Sequence, residues 1–179
     1  MTNNVTTNVF GKESMEHIDP KAVLELMKDR DTSLPRFIKM VYEEPSNKTI
    51  RCANVSKPHY SVWSGNNFVS ELKESVHRRI YHTNKKRMME MAEQYAGTQF
   101  KRRACGEAPQ WNYPWPYIQG RHEMRFRSID KGIQLVDEGN RASDRKMEYY
   151  DQTNMNNWKA MRQAIEGEVA SIVRPNRIS

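Results

Sequence analysis

The chain is short of aliphatic side chains. Leu, Ile, Val and Phe number 5, 10, 11 and 5, together 31 of 179 residues. That is about 17%, below the roughly 20% under which an ordinary hydrophobic core becomes hard to build. No apolar run approaches the ~20 residues of a membrane-crossing helix, so a membrane span is excluded. Two cysteines, Cys52 and Cys105, make no disulfide framework and match a reduced complement, with a Cys52–Cys105 pair geometrically open. The eight glycines are scattered, and neither G-x-x-x-x-G-K-[ST] nor G-x-G-x-x-G occurs, which removes the common phosphate-binding loops. No basic start precedes an apolar stretch, so no secretory signal is expected and the reading is intracellular or virion-borne.

In place of aliphatics the chain has 11 Met, 8 Tyr and 4 Trp, which argues against plain disorder. Two kinds of protein complete a core this way. One is a small monomer patched with Met and aromatic rings, and the other is a subunit that borrows a partner's surface.

Charge is unevenly placed. Lys and Arg number 29 against 22 Asp and Glu, a net +7. Residues 1–72 carry 9 of each sign and residues 132–179 carry 7 of each, so the whole excess lies in residues 73–131, with 13 basic and 6 acidic side chains. There it clusters as Arg78-Arg79, Lys85-Lys86-Arg87 and Lys101-Arg102-Arg103, followed by Arg121, Arg125 and Arg127. A localised excess makes a local potential suited to phosphate backbones, acidic protein surfaces or anionic headgroups.

The pattern predicts a mainly α protein. Residues 1–18 read as a polar N-terminal arm, and residues 19–179 as a single, mainly helical domain. Asp19-Pro20 is an N-cap followed by proline at the first helical position, and Val23, Leu24 and Met27 line one face. A second short helix is expected from Ser33 to Glu44, with Phe37, Ile38 and Val41 inward and Pro45 as its stop. Short alternating runs around Ser56-Lys57-Pro58 suggest a small β-hairpin over about 49–63.

Two long amphipathic helices are expected. The first covers about 67–96, where Val69, Leu72, Val76 and Ile80 keep helical spacing. Thr83 and Arg87 interrupt that seam, which implies a kink or two successive helices, and Gly97 supplies a stop. The second covers about 143–173, with Met147, Tyr150, Asn154, Trp158, Met161, Ile165, Val169 and Ile172 in one stripe. That stripe suits packing against the other long helix better than a dimeric zipper.

Between them, residues 108–118 form an aromatic and proline-rich loop. Trp111, Tyr113, Trp115 and Tyr117 alternate with prolines, and in extended geometry they point the same way. Such rungs can plug a core, dock into a neighbouring subunit or stack nucleic-acid bases. Residues 119–139 fit a short helix or an extended arm.

Little of the chain looks catalytic. His77 and His82 are five apart, diverging by about 140° on a helix rather than sharing a face. Lys101-Arg102-Arg103 precede Cys105, and nearby cations activate thiols. A nucleophilic Cys105 would still need a positioned His77, His82 or His122. No metal set and no cofactor is expected.

The expected function is therefore non-enzymatic. It is a structural subunit of a larger assembly, in composition like a viral or phage nucleocapsid or head component. Its basic surface, from Arg78, Arg79, Lys85, Lys86, Arg87, Lys101, Arg102, Arg103, Arg121, Arg125 and Arg127, contacts RNA or DNA. Trp111, Tyr113, Trp115 and Tyr117 stack or dock, and self-association or other subunits supply the assembly. Two alternatives stand beside it: a protein-only scaffold on an acidic filament or complex, and a small enzyme centred on Cys105 or a histidine.

Overall fold

The computed structural model describes residues 6–52, 56–104, 115–139 and 149–173, with backbone alone for 99–104. The protein is mainly helical, with α1 (Pro20–Leu26), α2 (Ser33–Glu43), α3 (Lys73–Ala104), α4 (Trp115–Gly139) and α5 (Tyr149–Val173). A three-stranded antiparallel sheet, β1 (Ile50–Arg51), β2 (His59–Trp63) and β3 (Phe68–Leu72), lies in spatial order β1-β2-β3. Contacts divide the chain into two compact units, Met1–Pro109 with Ile165–Ser179, and Gln110–Ala164.

In the first unit, α1 starts where the sequence says it should. The Asp19 carboxylate accepts from the Lys21 N–H at 2.9 Å, and Pro20 needs no donor. Val23, Leu24 and Met27 are buried, as are Phe37, Ile38 and Val41 of α2. Pro45 ends α2 and opens a single 3-10 turn, Pro45–Asn47. Both short helices pack on α3.

The hairpin expected at 49–63 is present, with Ile50 opposite Val62 and Arg51 opposite Ser61, but a third strand extends it. That strand corrects the expected helix at 67–96, which starts only at Lys73. Gly65 adopts φ +107, and the Ser64 N–H and hydroxyl donate to the Asn67 carbonyl at 3.0 and 2.9 Å. The turn so closed sets Trp63 opposite Phe68 and Val62 opposite Val69, leaving residues 68–72 extended. Val69 and Leu72 are exposed strand residues rather than part of a helical seam.

The helix continues past Gly97 to Ala104, so the expected stop fails. Of the kink or two successive helices expected at Thr83-Asn84 the second is excluded, because the helix is continuous. Asn84 itself is buried, with its amide nitrogen donating to the Ile80 carbonyl at 2.9 Å, so a polar residue fills the seam between Ile80 and Met88.

In the second unit, α4 takes in both stretches that the sequence left ambiguous. Residues 119–139 are helical, and so are residues 115–118 of the expected loop at 108–118, whose residues 108–114 lie outside the described residues. Pro116 is tolerated because first-turn N–H groups have no helical partner. Ile118, His122, Phe126, Ile129 and Ile133 form its buried stripe. There are thus three long helices among the described residues, not two.

Residues 149–164 of α5 pack on α4. Gly132 permits the approach, since a Cβ there would lie 2.8 Å from the Asn154 carbonyl carbon and 3.1 Å from the Trp158 Cβ. Ser128 Oγ donates to Asn154 Oδ1 at 2.6 Å and accepts from Asn157 Nδ2 at 2.8 Å. The expected stripe along 143–173 is buried at Trp158, Met161, Ile165 and Val169. Tyr150 at its start is 75% exposed, and Met147 lies outside the described residues.

Candidate nucleic-acid interface

The basic residues of the long middle helix fall into distinct environments. Arg78 pairs with Glu74 at 3.1 Å, one turn earlier. Arg79 reaches Glu71 of β3 at 2.6 Å, and its guanidinium lies over the Phe10 ring at 4.3 Å. Lys85 covers the Tyr81 ring at 4.9 Å, and exposed Lys86 is 3.8 Å from Glu90. Seven residues separate 78 from 85 and 79 from 86, so these four form two neighbouring stripes along one side of α3. The backbone of Lys101, Arg102 and Arg103 forms the helix's last turn. Cations there complement the negative end of the helix dipole.

Arg87 sits elsewhere, half a turn from Arg78. Its Nη1 donates to Glu13 Oε2 at 3.0 Å, and its Nη2 donates to the Gly11 carbonyl at 2.9 Å. The Glu13 side chain is 1% exposed. Its Oε1 accepts from the Gly11 N–H at 2.8 Å, Thr49 Oγ1 at 3.1 Å and the Tyr42 hydroxyl at 3.2 Å. Burial first, and the Glu13 charge second, push the Tyr42 phenol well above its ordinary value, so it remains a donor. Beside this cluster Asn47 is fully buried. Its Oδ1 accepts from Asn8 Nδ2 and the Ser14 N–H, both at 2.8 Å, and its Nδ2 donates to the Ser14 and Val41 carbonyls at 2.7 and 2.8 Å. Arg87 therefore anchors residues 8–14 to α3, and the described part of the N-terminal arm is tied to the first unit.

On α4, Arg121 and Arg125 are one turn apart, and the Arg121 guanidinium lies 5.6 Å from the Tyr117 ring centre. Arg127 is turned about 200° from Arg125, so the three do not make one patch. Trp115 and Tyr117 lie in the first turn of α4. Two residues apart on a helix they point in roughly opposite directions, which corrects the same-side alignment expected of them. Trp111, Tyr113 and Cys105 lie outside the described residues.

The histidines are dispersed. His77 is buried and joined to the Tyr60 hydroxyl at 3.2 Å, His82 is exposed against Tyr81, and His122 is buried beside Phe126. Burial, then Glu166 and Cys52, push the Tyr60 phenol well above its ordinary value. No group of three or more His, Cys, Asp or Glu among the described residues is placed to hold a metal ion.

One surface went unnoticed in the sequence. The strand register puts Ile50, Tyr60, Val62, Val69 and Glu71 on one face of the sheet, and Arg51, His59, Ser61, Trp63, Phe68, Ser70 and Leu72 on the other. On the second face the Trp63 and Phe68 rings are 5.0 Å apart, and the Arg51 guanidinium lies 3.9 Å from the centre of the Phe68 ring. The partial alternation of Tyr60–Trp63 and the turn residues Ser64-Gly65-Asn66 that follow it were the available signal.

Compared with known proteins, the chain matches no family model, no curated protein and no solved structure.

Proposed function

We propose that the protein is a non-enzymatic helical subunit of a larger assembly whose α3 surface contacts nucleic acid. The observation that carries this reading is the charge of one continuous helix. Lys73–Ala104 holds nine basic and three acidic side chains, so +6 of the chain's +7 rides on a single rod. Glu13 and Glu71, which pair with it, still leave a net +4. A linear array of one sign attracts a linear array of the other, and the gain is chiefly counterion release.

The contact set is narrower than the basic sequence clusters suggest. Arg87 is engaged with Glu13, and Arg78 and Arg79 with Glu74 and Glu71. Lys86, whose contact with Glu90 is long and exposed, and Lys85, over the Tyr81 ring, are assigned to phosphate together with Lys101, Arg102 and Arg103. Assembly is inferred from the shortage of Leu, Ile, Val and Phe, which a partner's surface would make good.

The test is the mass and absorbance spectrum of the protein as purified from the cells that make it. A large particle absorbing strongly at nucleic-acid wavelengths is expected. A clean monomer overturns the reading, and a large particle free of nucleic acid replaces it with a protein-only scaffold.

A further inference from the structure

We infer that the outer face of the sheet is a second nucleic-acid contact, one that stacks the bases of a single strand. This rests on the nucleic-acid reading above, but it uses different residues and a different kind of interaction. Tyr60 on β2 bonds to His77, so α3 packs against the inner face of the sheet and the basic stripes are not part of the outer one.

The outer face has what a stacking surface needs. Trp63 and Phe68 sit side by side across the hairpin, half-buried, with centres 5.0 Å apart. Half-burial leaves ring surface in water while neighbours hold the rings in place. Arg51 is exposed, with its guanidinium over Phe68 at 3.9 Å, and it brings a guanidinium plane for a base and N–H donors for a phosphate. Leu72, 55% exposed, and exposed His59 continue the face toward the start of β2.

Charge decides which occupant fits. Among the described strand residues this face holds Arg51 and no carboxylate, because Glu71, the acid of the strand pair, is on the inner side with Arg79. A polyanion meets no like charge there. A single strand is favoured over a duplex because only unpaired bases offer their faces to aromatic rings.

The experiment compares the parent protein with three variants, Trp63→Leu, Phe68→Ala and Arg51→Gln, for affinity to an oligothymidine of about twelve nucleotides and to a duplex of equal length. Circular dichroism checks the fold, and Arg51→Gln removes the charge over Phe68 while leaving both rings in place. Trp63→Leu and Phe68→Ala are expected to weaken single-strand binding roughly five- to hundred-fold. Duplex affinity and the salt dependence carried by α3 should stay as in the parent. If all three variants bind oligothymidine like the parent, the stacking face is wrong and the α3 contact stands. If the parent binds neither ligand, both readings fall together. If Trp63→Leu changes the mass of the assembly and leaves oligonucleotide affinity intact, the face is a subunit contact and the proposal is overturned.

Discussion

Removing the Arg87 guanidinium should cost more than any other change to a basic residue of α3. In Arg87→Ala the Glu13 carboxylate stays where it is, with a side chain 1% exposed against 18% for Arg87 in the parent. Three neutral donors remain on Oε1, while Oε2 loses its charged partner. Breaking a buried pair from one side costs about 3–5 kcal/mol. Water reaches part of the Arg87 side, which places the expected loss near the lower end, about 3 kcal/mol. For a chain of this size that is a fall of about 6–12 °C in the melting temperature of the first unit. Glu13→Gln supplies the control, because an amide keeps an acceptor for the three donors and removes the stranded charge. In the double-mutant cycle the second change should therefore be partly restoring in the Arg87→Ala background, giving a coupling well above about 0.5 kcal/mol. Arg87→Ala within about 0.5 kcal/mol of the parent, or two losses that simply add, would refute the anchoring role.

Three other outcomes follow from the packing. Asn47→Ala strands the Ser14 N–H and the Val41 carbonyl in a buried place, so a loss of about 2–4 kcal/mol is expected, with faster amide exchange over residues 8–14. Gly132→Ala puts a methyl group 2.8 Å from the Asn154 carbonyl carbon, and despite alanine's better helix propensity it should destabilise by about 1–3 kcal/mol in thermal unfolding. The Tyr42 phenol has a folded value raised above its ordinary 10.0, so its stabilisation is complete below that pH and is lost as pH rises through the folded value. Melting temperatures taken from about pH 8 to pH 12 should fall more steeply for the parent than for Tyr42→Phe.

Much of the helical frame was legible in the sequence, because capping and periodicity are local. Asp19-Pro20, the Phe37–Val41 face and the Trp158–Val169 stripe each reach the structure as read. Other features depend on residues distant in sequence. Val69 and Leu72 fall in helical phase with Val76 and Ile80, and only pairing with β2 makes them a strand. Gly132 looks like a breaker until Asn154 is brought against it, when the missing side chain becomes the reason the helices can meet. Nothing local marks Glu13 or Asn47 for burial, because the Arg87 that covers the Glu13 carboxylate lies 74 positions away. The basic clusters were visible at once. Which of their members are committed to internal partners was not, and that distinction changes the expected contact set.

That contact set has one direct measure, the dependence of oligonucleotide affinity on salt. Five phosphates neutralised by Lys85, Lys86, Lys101, Arg102 and Arg103 give a log–log slope near −3.5 for a single strand. Replacing Lys85 and Lys86 with glutamine should reduce its magnitude by about 1.4. An affinity that stays flat between low and moderate salt, or a slope unmoved by that double replacement, contradicts the assignment of α3 as the nucleic-acid surface.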